Sequence, residues 1–319
     1  MNIISAAQVN EILQPKALVA KLKLAFASEI QTPLRQHFDI ANPESERETT
    51  LLVMPSWQSG ADIGVKLVTV VPESYQYNLP SIQGVYTLMD AVKGGVKAMI
   101  DAPSLTAKRT AAASALASSF ISREDTSSML MIGTGTLSPE LIKAHCAVRP
   151  ITDVKVWGRN IDKAKAVVAQ LQSNTALLGV TLSAVSDLDE AIAKVDLISC
   201  ATMSQTPLIK GQLLKAGQHL DMVGAYRPDM READDDCIRR CQVVVDNYTG
   251  ALKETGDIKI PLDEGLLTVE DIKADLFELC KGDVNFERQS SDITMFKSVG
   301  HALEDLAAAQ LIAAELELN

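Results

Sequence analysis

Aromatic side chains are scarce in this sequence. They make up 4% of its 319 residues, although 47% are hydrophobic, so a core large enough for two domains must be filled by Ala, Val, Leu and Ile. A basic excess is also missing: the formal charge is −11, which argues against nucleic acid or an anionic membrane as partner, since both require a basic face. No apolar run approaches the roughly 20 residues of a spanning helix, and MNIISAAQVNEIL carries no basic flank ahead of an apolar stretch. A soluble, cytoplasmic protein is expected. The five cysteines, at 146, 200, 237, 241 and 280, are odd in number and dispersed, unlike a disulfide framework. Cys237 and Cys241 lie four apart with no second pair or histidine nearby, so no metal site is expected. His37, His145, His219 and His301 are scattered and read first as packing or solvated residues.

What is present is a strand, a glycine turn and a helix in one stretch, SSMLMIGTGTLSPELIKAH, residues 127–145. Gly133 allows a sharp turn after the apolar run, Gly135 lets backbone approach a pyrophosphate, and small Ser138 permits close packing of helix on sheet. Pro139 suits the first helical turn, whose free N–H groups attract anions. Gly133, Thr134, Gly135, Thr136 and Leu137 are therefore candidate cofactor ligands.

The context supports that reading. From residue 129 onward, candidate strands 130–132, 154–157, 197–201, 219–223 and 243–245 alternate with helical stretches 139–147, 161–172 and 208–216, the mark of a parallel sheet covered on both faces. The expected fold class is α/β, a Rossmann-type doubly wound parallel sheet. Ahead of it, LLVMPSW, IGVKLVTVV, VYTLMDA and KAMIDA read as short strands punctuated by Pro72, Asn78, Pro80 and Gly94-Gly95. Helix is expected in the first 25 residues, over 105–122 and over 299–318, the last packing back on the N-terminal half. The expected division is a discontinuous α+β domain, residues 1–122 with 299–319, and a dinucleotide-binding domain, 123–298, with the ligand between them.

An acidic residue at the end of the second strand would read the adenosine ribose of NAD and repel a 2′-phosphate. After Val154–Trp157 the chain instead has Gly158-Arg159-Asn160, with Lys163 one turn on. NADPH is the expected cofactor, with NADH the alternative, and Arg159, Asn160 and Lys163 are candidate ligands. The competing reading makes Arg159 and Lys163 surface charges beside Asp153 and Asp162.

With these pieces placed, the chain resembles the ornithine cyclodeaminase/mu-crystallin family over nearly its whole length. The segments that carry the resemblance are TPLRQH (32–37), LLVMPSW (51–57), GVKLVTVVP (64–72), LTAKRTAAASALAS (105–118), MIGTGTLSPELIKA (131–144), VKVWGR (154–159), VGAYRPDMREAD (223–234) and ITMFKSVGHALEDLA (293–307). The resemblance implies a homodimer whose discontinuous domain builds both the dimer interface and much of the substrate pocket. It places the substrate-binding cations on Arg35, Lys66 and Arg109, with Lys66 and Arg109 as catalytic candidates. It sets Thr202, Met203, Val223, Gly224 and Ser298 beside the cofactor. Chemistry suits the cations: Arg109 can offer a carboxylate a planar bidentate donor, and a desolvated Lys66 can act as proton donor or as fixed charge.

One departure sorts the activities. Where the cyclodeaminases carry a catalytic aspartate in a Gly-Gly-Asp-like setting, this chain has Gly224-Ala225-Tyr226, and a tyrosine with a pKa of about 10 does not replace a carboxylate as base. VGAYRPDMRE instead resembles the ketimine-reductase branch. The implied reaction is NAD(P)H-dependent reduction of a cyclic α-imino acid to L-proline or L-pipecolate. The alternatives are an alanine dehydrogenase, an ornithine cyclodeaminase or a non-catalytic NADP(H)-binding protein like mu-crystallin. Leu137, where relatives often have glutamine, and Glu73-Ser74, where many have asparagine, are lesser departures.

Overall fold

A computed structural model describes residues 1–45, 48–71 and 73–318; Pro72, read above as a turn signal, lies outside them. The chain forms two compact units, Met1–Arg109 with His301–Asn319, and Thr110–Gly300. The first opens with β1 (Asn2–Ile4), α1 (Ala6–Ile12) and α2 (Pro15–Phe26). It continues with β2 (Gln36–Ile40), β3 (Thr49–Trp57), β4 (Asp62–Val70), β5 (Ile82–Asp90) and β6 (Val96–Asp101). Helix α3 (Ala102–Ile121) then carries the chain across the boundary between Arg109 and Thr110.

The second unit alternates strand and helix: β7 (Ser128–Ile132), α4 (Leu137–Val148), β8 (Asp153–Trp157), α5 (Ile161–Gln172), β9 (Thr181–Val185), α6 (Leu188–Ile192), β10 (Leu197–Cys200) and β11 (His219–Met222). It closes with α7 (Asp235–Arg240), β12 (Cys241–Val245), α8 (Tyr248–Glu254), α9 (Gly256–Asp263), β13 (Ile272–Asp275), α10 (Leu276–Lys281) and β14 (Ile293–Lys297). All its strand pairs are parallel, in the order β13-β12-β14-β11-β10-β7-β8-β9. Central strands such as Met129–Ile132 are buried throughout, as expected where helices cover both faces. The strand order reverses between β7 and β10, and open α/β sheets bind ligands at such a switch point.

The reading of 208–216 as a helix is corrected. The N–H groups of Leu208 and Ile209 both bond the carbonyl of Glu232, and Ile209 forms a bridge to Ala233. Only a 3-10 turn at Gly211–Leu213 remains. The β10–β11 crossover thus has no α-helix, because Leu208 and Ile209 are held as extended chain alongside 232–233.

The chain ends in α11 (Ala302–Glu315), which belongs to the first unit and packs on α2, β3 and β4. The sheet there runs β1-β6-β5-β4-β3-β2, antiparallel except for the β1–β6 pair. Its alternation decides the chemistry. In register across β3, β4, β5 and β6, the row Met54, Lys66, Tyr86 and Ile100 is buried. The adjacent row Val53, Leu67 and Val85 lies on the other face, where Leu67 is exposed. Lys66 therefore points inward with Tyr86. Gly64 is required beside them, since a Cβ there would meet the Tyr86 hydroxyl at 1.7 Å. Among the described residues no helix is long and apolar enough to cross a membrane.

Candidate active site

In the first unit the structure brings Lys66 and Arg109 to one residue, Asp305, on the first turn of α11. Asp305 accepts the Arg109 Nε on Oδ1 at 3.0 Å and faces the Lys66 Nζ with Oδ2 at 2.7 Å. Glu304 Oε2 accepts Arg109 Nη1 at 2.7 Å, while its Oε1 takes the His301 N–H and completes a capping box. Lys66 also donates to Thr106 Oγ1 at 3.4 Å. All four ionic side chains are buried. Arg35, just ahead of β2, is half-buried and near enough for its charge to act on Lys66 and His301.

Burial sets the protonation of this cluster as much as pairing does. It lowers Lys66 to about 8, with Asp305 pulling the other way. Burial opposes the Asp305 charge as well, yet Arg109 and Lys66 hold it below the usual carboxylate value. His301 is lowered to about 4 by burial and by Arg35 and Arg109, so its ring is neutral at pH 7. Lys66 and Arg109 thus face the carboxylates of Glu304 and Asp305, and the charge of Arg35 reaches the same cluster. A fixed group of cations of this kind suits a ligand carboxylate.

In the second unit the Gly133–Leu137 loop leaves β7 at the switch point. Gly133 has φ 126°, and a Cβ on it would meet the Ala201 carbonyl oxygen at 2.5 Å, so the loop presses against the exit of β10. A Cβ on Gly135 would meet nothing within 4 Å, which leaves open space over the loop. Thr136 precedes α4 without capping it by its side chain, and Ser138 Oγ is buried with no hydrogen-bond partner among the described residues. Gly158 lies against Thr134, since a Cβ there would come within 2.6 Å of Thr134 Cγ2.

Of the other sequence candidates, Asn160 acts as N-cap of α5, accepting from the N–H groups of Asp162 and Lys163. Arg159 and Lys163 are exposed at the exit of β8 and the start of α5. Their acidic neighbours pair elsewhere, Asp153 with Lys155 and Asp162 with Lys165. Thr202 and Met203 follow β10, the Met203 side chain standing 73% exposed. Val223 and Gly224 follow β11; Gly224 lies so close to Thr202 that a Cβ would meet its carbonyl oxygen at 2.1 Å. Ser298 is buried after β14 and donates to Asp246 Oδ2 at 3.3 Å.

The profile of the ornithine cyclodeaminase/mu-crystallin family matches residues 1–318. The chain belongs to this family. Protein SAR DEFICIENT 4 of Arabidopsis thaliana is 40% identical over 290 residues, covering 90% of this chain and 87% of that protein. Delta(1)-pyrroline-2-carboxylate reductase of Colwellia psychrerythraea is 36% identical over 317 residues, 99% of each chain. The structure of Thermococcus litoralis delta(1)-pyrroline-2-carboxylate reductase in complex with NADH and L-proline superposes with a TM-score of 0.91 at 30% identity, covering 100% of this chain and 99% of that one.

Within this family member, sequence reasoning passed over the residues that hold the cations. Glu304 and Asp305 sit in ALEDLAAAQLIAAE, a helix whose other residues are apolar except Gln310 and Glu315. Adjacent acids in the first turn of such a helix read as dipole partners; the usable signal was that they interrupt a buried Ala and Leu face. Tyr86, buried beside Lys66, was likewise hidden in a strand.

Proposed function

We propose that this protein reduces a cyclic α-imino acid, delta(1)-pyrroline-2-carboxylate or delta(1)-piperideine-2-carboxylate, to the L-amino acid, with NADPH as the preferred cofactor and NADH as a weaker one. The observation that carries this reading is the buried cluster in which Asp305 joins Lys66 to Arg109, with the charge of Arg35 acting on Lys66. The reductase of Colwellia, at 36% identity, supports the same branch. Tyr226, 40% exposed where a cyclodeaminase aspartate is expected, disfavours ring closure from ornithine.

The residues of the second unit fit a nicotinamide dinucleotide. The open space over Gly135, the orphaned Ser138 hydroxyl and the uncapped start of α4 suit a diphosphate. Arg159 and Lys163, unpaired with Asp153 and Asp162, suit a 2′-phosphate. A bound dihydronicotinamide supplies the hydride. Arg109 anchors the substrate carboxylate through its Nη2, since Glu304 and Asp305 occupy Nη1 and Nε. The imine carbon is electrophilic enough only with its nitrogen protonated, and Lys66, an ammonium at neutral pH with a pKa of about 8, can hold a proton for it.

The assembly belongs to the same proposal: a homodimer through the open face of the first unit's sheet, where Phe38, Ile40 and Leu67 are exposed. The test of function is loss of NADPH absorbance with each imino acid, with pyruvate plus ammonia, and NAD+ reduction with L-ornithine. Turnover with the cyclic imino acids is expected, and turnover with ornithine alone overturns the assignment. Light scattering should give a dimer that Leu67→Asp converts to monomer.

A further inference from the structure

The loops after β10 and β11 have little regular structure to hold them. No α-helix packs in the crossover between these strands, and residues 201–204 leave β10 as irregular chain. Yet Thr202 and Gly224 are nearly in contact. One side chain accounts for this. The Glu232 carboxylate, fully buried, accepts on Oε1 from the Thr202 N–H at 2.7 Å, the Thr202 hydroxyl at 2.8 Å and the Cys200 thiol at 3.1 Å. On Oε2 it accepts from the N–H groups of Gly224 at 2.7 Å and Ala225 at 3.1 Å. Every one of these partners is a donor.

A second buried pair fixes Glu232 from behind. Asp257 Oδ1 accepts the backbone N–H of Glu232 at 2.8 Å, while Asp257 Oδ2 accepts Lys297 Nζ at 2.9 Å. Lys297 ends β14, one residue before Ser298. The chain Glu232–Asp257–Lys297 thus links the exits of three neighbouring strands, β10, β11 and β14. Buried charge is costly unless it is fully bonded, and a hydrophobic residue could fill this space but not collect four hydrogen bonds from two loops.

We propose that Glu232 is a positioning residue for the nicotinamide half of the cofactor, setting the spacing between the Thr202–Met203 and Val223–Gly224 loops. This rests on the reading above that these loops lie beside the cofactor, and they leave strands on the side of β7 away from β8 and Arg159. The adenosine half depends on other parts, the Gly133 loop, Arg159 and Lys163, so the two halves separate the roles.

Glu232→Gln keeps the shape but turns one acceptor into a donor aimed at N–H groups. Titration calorimetry on the full chain should show the Kd of NADPH rising at least ~10-fold, the loss of one or two charge-assisted bonds, with the Kd of adenosine 2′,5′-bisphosphate unchanged. KM for NADPH should rise with it. Thr202→Val, which removes a single hydroxyl donor and is not expected to impair folding, should weaken NADPH by about threefold and leave the bisphosphate alone. Equal loss of both probes, or wild-type NADPH affinity in both variants, overturns the proposal. Wild-type protein that binds neither probe overturns the reading of the site itself.

Discussion

The cation cluster of the first unit and the glycine loop of the second both suit an anion, and they are built from opposite materials. The cluster consists of long charged side chains, sunk under α11 and held apart by Glu304 and Asp305. The loop carries no charged side chain and turns on two glycines, open above Gly135 and closed below against Ala201 at Gly133. Removing one member of the cluster leaves buried charge behind, whereas crowding the loop leaves the fold intact unless the crowded position faces protein. Fold and function are therefore hard to separate in the cluster and easy to separate in the loop.

The sharpest way to break this contrast is Arg109→Ala. It removes the carboxylate anchor and takes the guanidinium away from Glu304 and Asp305, so kcat/KM for the imino acid should fall ~100-fold or more. Urea unfolding should show a loss of about 3–5 kcal/mol. A retained rate would remove Arg109 from the substrate site. In the loop the two effects should come apart: Gly133→Ala, at φ 126° and against the Ala201 carbonyl, should lower the melting temperature and NADPH affinity together. Gly135→Ala, with nothing within 4 Å, should leave the melting temperature unchanged and weaken NADPH by about tenfold. Equal melting temperatures for both variants would contradict the close approach at Gly133.

Arg159→Asp should raise the Kd of NADPH by ~10–100-fold and that of NADH by no more than about threefold, since only NADPH carries the 2′-phosphate. Equal losses would mean that this arginine does not read the phosphate. The smallest effect expected is one of pH. Lys66, lowered from 10.5 to about 8, binds fewer protons folded than unfolded between those values, so its contribution to stability grows as pH rises through that window. Its ammonium is lost over the same window. Affinity for pyrrole-2-carboxylate, whose own charge does not change there, should therefore weaken above pH ~8 while the protein becomes no less stable on account of Lys66. Asp305→Asn should move that weakening to lower pH by removing the charge that raises Lys66.

Much of the parallel sheet was legible in the sequence because buried strands and amphipathic helices alternate there; β7, β8 and α5 fall within a residue or two of the expected ranges. Strand β9 escaped because TLSAV has no strong apolar run, and β14 because ITMFK follows a polar loop. The five-residue β2 escaped for another reason: QHFDI is exposed along its whole length and offers no buried face to detect. The stretch 208–216 has helical composition, but its first two residues are drawn into extended pairing with 232–233, a partner more than 20 residues away.

The sequence by itself determined the α/β class, the glycine loop and the residue types at 35, 66 and 109, because periodicity and side-chain chemistry are local properties. Only the tertiary structure decided that Asp305 spans Lys66 and Arg109, and that Glu232 gathers the exits of β10 and β11. A buried acid has no sequence signature of its own. What it does depends on which donors the fold brings to it, and those donors lie 7 to about 240 residues away along the chain.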